Sequence, residues 1–395
     1  MRISKLETFH ADGGWRVWSF LKISTDEGLI GWCEYAEGFG AGGVSELIAK
    51  FAPLAIGRDP RAIGRLSTEL RGVTRLAQGG LNHQAIAAIE NACLDIKAKA
   101  AGVPVCALFG GPFRETLPVY WSHCASFRVW RREFFEQKLG MKPIRTLDDV
   151  KALGREAVER GFTAIKTNPL NLWPQSKPFN SGFRMGPGAL ERQPVNAQIG
   201  EMREVVAAFR EGVGPNTGIM FDINFAHRPE GFLRVARALE EYDLTWLEID
   251  IHDAPALAHV RSQVRTPIAS LEAIHGLANY RPFFENRAVD VAVVDVPWNG
   301  LWESCRIATL ADAFEVDCAP HNFYGDLASL MSAHFCAAIP NFRIMELEVD
   351  DVPWKSEFVT VAPVVKDGLF HVPTAPGWGA DVNEEALKKY AVKKS

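Results

Sequence analysis

The sequence predicts an α/β protein in which a closed barrel of parallel strands follows a smaller α+β domain. Three observations carry that expectation. Beyond Thr116, apolar runs and helix-periodic segments alternate about every 25 residues, the signature of repeated βα units and a parallel sheet. Eight such runs fall within about 230 residues, which suits closure into a barrel better than an open sheet. Before Thr116 the texture differs, with an antiparallel meander followed by helices.

Composition narrows the class of protein. A chain of 395 residues can bury a large core, and 47% hydrophobic with 23% charged residues is close to the globular average. A formal charge of -5 and a pI near 6.1 give no basic footprint for nucleic acid, so a small soluble partner is expected. The opening MRISKLETFHADGG lacks the apolar core of a signal peptide, and no segment is apolar for long enough to cross a bilayer, so a cytoplasmic location without membrane attachment is expected. Seven scattered cysteines without a Cys-x-x-Cys pair read as buried thiols, not as disulfides or a zinc site.

Taken in order, Val17 to Ile23 and Leu29 to Tyr35 read as strands joined by the turn Thr25-Asp-Glu-Gly28. Gly38-Phe-Gly40-Ala-Gly-Gly43 matches the dinucleotide fingerprint G-x-G-x-x-G and precedes a helical run, Val44 to Ala55. Gly57-Arg-Asp-Pro60 and more helix then follow in place of a parallel strand with an acidic residue, so no βαβ unit closes and a plain glycine-rich turn is expected. Asn82 to Ala101 is the best helix, with Ile86, Ile89, Ala92, Cys93 and Ile96 recurring at three and four; its acids Glu90 and Asp95 are expected on a solvated or salt-bridged face.

Barrel strands are expected near Val119 to Ser126, Ala164 to Asn168, Gly218 to Asn224, Thr245 to Asp250, Pro267 to Glu272, Val289 to Val296, Glu315 to His321 and Phe342 to Glu348. Helices between them include Ala197 to Glu211, Gly231 to Tyr242, Leu301 to Phe314 and Gly325 to Ala338. The Pro- and Gly-rich connection Asn168 to Asn196 is too long for an ordinary βα loop and falls on the active-site rim, with Lys177, Arg184 and Arg192 as candidate anion contacts. The tail from Val361 returns to short strand-like pieces expected to pack back on the N-terminal domain.

The chemistry concentrates between Gly218 and His321. Asp222, Glu248 and Glu272 end three consecutive strands, and carboxylates that close cannot all ionise without a cation. Hard oxygen ligands with no Cys or His among them suit Mg²⁺. Asp295 and His321 end the next two strands and could meet as a dyad in which the carboxylate orients the ring, making His321 a candidate general base. Lys166 and Asn168, two apart and so on one face, would point at a metal-bound substrate, as would Asn224 beside Asp222, and Glu346 closes the circuit from the last strand.

With these residues in place, the chain resembles the enolase superfamily, mandelate racemase subgroup, over nearly its whole length. The matching stretches are TDEGLIGWCE, AIENACLDIKAKAAGVPVCALFGG, AIKTN, FDIN, WLEID, SLEAI, VVDV, APHN, NFRIMELE and VPTAPGWG, and their joint order and spacing are more specific than any one of them. The resemblance implies a modified TIM barrel, (β/α)7β, with an N-terminal α+β capping domain completed by the C-terminal tail. The expected division is residues 1–116 for the cap, 117–360 for the barrel and 361–395 for the returning segment. It also implies Mg²⁺ on Asp222, Glu248 and Glu272, the dyad Asp295 with His321, and Glu346 hydrogen-bonded to the enediolate. Two cap loops that clamp substrate would be those around Asp12 to Trp15 and Leu76 to Asn82, making Trp15 and Asn82 candidate substrate contacts, and assembly as a homo-oligomer is expected.

One departure bears on the reaction. Racemases of the subgroup carry a second base in a Lys-x-Lys motif, whereas Lys166-Thr167-Asn168 ends in an asparagine that cannot take a proton. Dehydration needs only His321, which can remove the α-proton and then, as imidazolium, protonate a departing β-hydroxyl. The expectation is therefore a Mg²⁺-dependent dehydratase that turns a sugar acid into a 2-keto-3-deoxy acid. The alternatives are a racemase or epimerase of a 2-hydroxy acid and, from another class, a non-catalytic protein that kept the fold.

Overall fold

A computed structural model describes residues 1–37, 42–170, 172 and 193–392. Strands β1 (Ile3–Asp12), β2 (Val17–Thr25) and β3 (Ile30–Tyr35) form an antiparallel meander. Helices α1 (Val44–Ala55), α2 (Ile63–Val73) and α3 (Gly80–Ala101) follow it. Two helices follow β3 in succession, so among the described residues no βαβ unit closes here; Gly38 to Ala41 themselves lie outside the described residues, as do Lys177, Arg184 and Arg192.

The barrel strands are β4 (Thr116–Ser122), β5 (Ala164–Thr167), β6 (Gly218–Asp222), β7 (Trp246–Glu248), β8 (Ile268–Ser270), β9 (Val291–Asp295), β10 (Asp317–His321) and β11 (Met345–Glu348). Each pairs in parallel with its predecessor from β4 through β10, β11 pairs in parallel with β4, and a bridge between Cys318 and Phe342 closes the last gap. Helices α4 (Ser126–Trp130), α5 (Leu147–Glu159), α6 (Asn196–Val213), α7 (Pro229–Leu239), α8 (Ala254–Ser262), α9 (Leu277–Glu285), α10 (Val296–Asn299), α11 (Leu301–Ala313) and α12 (Asp326–Ala338) fill the crossovers. After β11 only a short 3-10 turn, Lys355–Phe358, takes the place of an eighth helix, which is the (β/α)7β arrangement.

The alternation of strand side chains places the site. Tyr120, Ala164, Met220, Trp246, Ala269, Val291, Val293, Ala319 and Ile344 form a separate buried cluster inside the barrel, with Trp246 edge-on to Tyr120 at 5.8 Å. Two residues further along the same strands, and so on the same face, stand Ser122, Lys166, Asp222, Glu248, Asp295, His321 and Glu346. An apolar plug thus floors a polar mouth. In β8 strict alternation would turn Glu272 outward, but the left-handed backbone at Leu271 (φ 93°) resets the phase, and Leu271 joins the outer core instead.

The cap is welded to the barrel through α3. Glu90 accepts the Trp302 and Glu303 amides at the start of α11, and Asn91 accepts the Leu301 amide at 2.8 Å. Asp95 accepts the Trp32 amide at 2.9 Å and pairs with Lys99 at 2.7 Å. Of the solvated or salt-bridged face expected for Glu90 and Asp95, the ion pair is present at Asp95, with Lys99, but the solvation is corrected: both acids are buried, because the cap sheet covers one side of α3 and barrel helices the other. From β3, Glu34 receives the Gly325 and Ala328 amides at the start of α12.

The tail does more than return to the cap. Strands β12 (Val365–Lys366) and β13 (Leu369–His371) form a hairpin whose second strand runs antiparallel to the start of β4. The chain then reaches the cap at Trp378, fully buried, with its indole donating to Trp32 O at 2.8 Å, and ends past α13 (Glu384–Lys389) with a bridge from Ala391 to Ala11. All seven cysteines are free, six of them buried, and no described helix is long and apolar enough to cross a membrane.

Candidate active site

Asp222, Glu248 and Glu272 all lie at the carboxyl ends of strands and are 3%, 1% and 7% exposed. Burial and mutual repulsion push the Asp222 carboxyl up to about 6 and Glu248 up to about 7, with Lys166 opposing both shifts. Glu272 is raised well above the carboxylate range, again by burial first and then by the neighbouring acids, against the pull of His321. Each acid is satisfied by a donor from the protein. Asp222 accepts from the Asn168 and Asn224 side-chain amides (3.2 and 3.1 Å) and the Asn224 backbone (2.8 Å), Glu248 from Lys166 (3.1 and 3.2 Å) and the Trp246 indole (3.0 Å), and Glu272 lies 3.4 Å from His321 Nε2.

A fourth acid joins them. Asp250, two residues beyond Glu248 and 5% exposed, accepts from Ser270 and the Leu271 amide through Oδ1, while its buried Oδ2 has no partner. An orphaned carboxylate oxygen beside three buried acids, with no thiolate or imidazole in the set, fits a hard divalent cation such as Mg²⁺. Among the described residues no three of His, Cys, Asp or Glu converge at ligand spacing.

On the other side of the mouth His321 Nδ1 is 2.6 Å from Asp295 Oδ2. The completely buried Asp295 is fixed by two further donors, the Tyr324 hydroxyl at 2.6 Å and the Trp298 amide at 2.7 Å. Burial opposes charge on the His321 ring, but Glu272, Asp295 and Glu346 outweigh it and push the imidazole up to about 10. Glu272 is the strongest of these attractions.

Lys166 sits between Glu248 and Glu346, 2.9 Å from the latter, and although burial disfavours its charge the two carboxylates hold it well above the usual lysine range. Glu346 accepts from Lys166, the Ser122 hydroxyl and the Asn322 amide; burial disfavours its charge too, yet Lys166 and then His321, with Ser122 assisting, hold it down at about 2. Ionised in this state, it is an acceptor and a clamp on Lys166. Asn168 is 1% exposed with both ends of its amide engaged, Oδ1 by Ser126 and Nδ2 by Asp222, so it orients a carboxylate and presents no free group.

The two cap residues fall at different places. Trp15 joins a cluster of rings at the mouth, 4.4 Å from Phe127 and 4.6 Å from the Arg16 guanidinium. Asn82 stands in the first turn of α3 and donates to Ala77 O at 2.8 Å, bracing its own loop. The neighbouring Gly79 does reach the rim, lining a cavity of about 480 Å³ with His252, Asp253 and His275.

Several residues at the mouth escape sequence reasoning. His275 stacks near Trp298 (6.0 Å), whose ring in turn lies 5.2 Å from His321. His123 stacks on Phe127 at 4.2 Å and contacts Ser122 and Glu348. The expected strand Val119 to Ser126 absorbed His123 as one of its interior residues, whereas β4 stops at Ser122 because His123 and Ala125 adopt left-handed backbone (φ 48° and 74°). An apolar run ending in a histidine was the available signal, the same one that marks His321.

Comparison with known proteins identifies the family. Residues 149–386 match the model described as enolase C-terminal domain-like, and residues 15–110 match the mandelate racemase / muconate lactonizing enzyme N-terminal domain. The chain belongs to this family of enzymes, the mandelate racemase / muconate lactonizing branch of the enolase superfamily. It is similar to a structure of a putative L-alanine-DL-glutamate epimerase from Burkholderia xenovorans bound to magnesium and fumarate, with 40% identity, TM-score 0.92, and coverage of 99% of this chain and 96% of that one. It is also 28% identical over 400 residues to the D-xylonate dehydratase of Haloferax volcanii (99% of this chain, 89% of the relative). It is 26% identical over 394 residues to the D-mannonate dehydratase of a Sphingomonas species (95% and 91%).

Proposed function

We propose that the protein is a Mg²⁺-dependent sugar-acid dehydratase, a hydro-lyase that makes a 2-keto-3-deoxy acid. The observation that carries this reading is the asymmetry of the site: one buried imidazole with an orienting carboxylate on one side, and on the other Lys166 held as an ammonium by two carboxylates and Asn168 with both ends of its amide engaged. Dehydratase names among the relatives support it, as does the magnesium of the Burkholderia structure for the metal.

In this reading Asp222, Glu248 and Glu272 hold Mg²⁺, with Asp250 beside them. When bound, the ion supplies positive charge next to the substrate carboxylate, which lowers the cost of the anion left by α-proton removal. Lys166 adds a second fixed charge to the same end of the substrate. His321, held by Asp295, takes the proton from the α-carbon. As imidazolium it returns that proton to the β-hydroxyl as the carbon–oxygen bond breaks, so water leaves and the enol rearranges to the keto acid. The test is a screen of mono- and diacid sugars with Mg²⁺, following keto acid with semicarbazide. A substrate should emerge for the native protein, and His321→Asn should lose at least ~10³-fold in kcat, within the range for losing a general acid–base group. Turnover of no sugar acid would overturn the assignment.

The Burkholderia structure favours a second reading, epimerisation. It requires a base on each face of the α-carbon, and Lys166 could serve only by releasing both Glu248 and Glu346. Exchange of the α-proton with solvent, without formation of keto acid, is its signature.

A further inference from the structure

We infer that His123 is a specificity-determining residue whose Nε2 accepts a hydrogen bond from a substrate hydroxyl remote from the metal-bound carboxylate, so that the preferred substrate is a hydroxylated monoacid and not a diacid. The inference rests on the sugar-acid reading above and names a class within it.

Four observations lead there. First, His123 lies just past the first barrel strand, while the candidate metal acids end or follow the third, fourth and fifth, so it stands at least two strands around the mouth from them. Its left-handed backbone (φ 48°) is a conformation that non-glycine residues adopt at a cost and that recurs at functional sites. Second, the ring is fixed, stacked on Phe127 at 4.2 Å and 19° and hemmed by Phe323 at 5.8 Å.

Third, the contact with Ser122 favours one tautomer. Ser122 has a single hydroxyl proton and gives it to Glu346 Oε1, which as a carboxylate also receiving Lys166 and the Asn322 amide can only accept. Toward His123 Nδ1, 2.9 Å away, the Ser122 oxygen can then only accept as well. Facing that oxygen, Nδ1 carries the ring proton; Glu348 Oε2 lies 3.0 Å from the same nitrogen, on a carboxyl that burial holds well above the usual carboxylate range. A neutral imidazole has one N–H, so Nε2 keeps its lone pair. Burial, reinforced by Lys166, His321 and Arg16, favours the neutral ring against the pull of Glu346 and lowers it to about 3.

Fourth, Nε2 has no hydrogen-bond partner among the described residues, and 13% of the side chain stays open. A fixed acceptor at a site mouth discriminates sharply, because an analogue without the donor leaves it unpaired. A hydroxyl satisfies it. A second carboxylate would set two acceptors facing each other above the buried acids Glu346 and Glu348.

Two measurements decide the matter, and the first does not depend on the reaction. In the full-length protein labelled with ¹⁵N-histidine, the His123 signals, identified by their loss in His123→Phe, should show a protonated Nδ1 and an unprotonated Nε2 at neutral pH. A protonated Nε2 overturns the proposal. The second compares the Mg²⁺-loaded enzyme on an accepted sugar monoacid, its terminally deoxygenated analogue and the corresponding diacid. The native enzyme should prefer the monoacid at least tenfold in kcat/KM over either of the others. His123→Phe should erase that preference, and His123→Gln, whose carbonyl can reach the position of Nε2, should restore part of it. Equal losses on all three compounds, or a native preference for the diacid, contradict it, as does solvent exchange of the α-proton that vanishes in His123→Phe. Should no acid turn over, the dehydratase reading falls, and calorimetric binding of the monoacid and its deoxy analogue judges His123 alone: the inference holds if the native protein binds the monoacid more tightly and His123→Phe does not, and fails if the native protein binds both equally.

Discussion

Asn168 is the residue on which the choice of reaction turns, and its surroundings show that it is committed to the protein. With Oδ1 on Ser126 and Nδ2 on Asp222, it orients a candidate ligand. Removing such a partner typically weakens metal affinity by 10–100-fold, so Asn168→Ala should bind Mg²⁺ about tenfold more weakly by calorimetry. Asp222 and Glu248, raised to about 6 and 7, make the metal-free protein lose stability as pH rises from the ordinary carboxylate range through those values, since their neutral forms suit the fold better. Binding of Mg²⁺ needs both ionised. Thermal unfolding should therefore show little stabilisation by Mg²⁺ near pH 5.5 and about 2.7 kcal/mol at pH 8 with the ion at a hundred times its Kd. A shift independent of pH would contradict the assigned acids. The acids, Lys166 and the dyad were legible in the sequence because each ends or nearly ends an apolar run. His123 and Asp250 were not, because a left-handed turn and a second in-facing carboxylate lie beyond what alternation alone can report.

At the scale of elements, periodicity located helices and strands to within a few residues but could not say what covers them. Helix α3 reads as amphipathic with its acids on a solvated or salt-bridged face, and Asp95 does pair with Lys99, yet both Glu90 and Asp95 are inside, each accepting backbone amides of a neighbouring element. Glu34 does the same from β3, satisfying two amides at the start of α12. Glu34→Ala would leave those donors unpaired at a buried helix start, a loss of about 3 kcal/mol measured by denaturant unfolding. Strand β8 is the counter-example within the barrel, where the turn at Leu271 and not the alternation brings Glu272 to the mouth.

For the whole molecule, the repeat of βα units announced the barrel, while the path of the tail was only half visible. The sequence shows short strand-like pieces after Val361 but not that β13 pairs with β4 before the chain reaches the cap, because pairing partners so distant leave no local pattern. Trp378 then locks tail to cap, so Trp378→Ala should cost about 3–5 kcal/mol in unfolding experiments, the range for emptying a buried tryptophan site. The central claim concerns what this architecture does with one imidazole. Incubating the Mg²⁺-loaded protein with an accepted sugar acid in D₂O tests it most directly. Elimination by His321 predicts that a keto acid accumulates while recovered substrate stays free of deuterium; deuterium entering the substrate with no keto acid formed would contradict it.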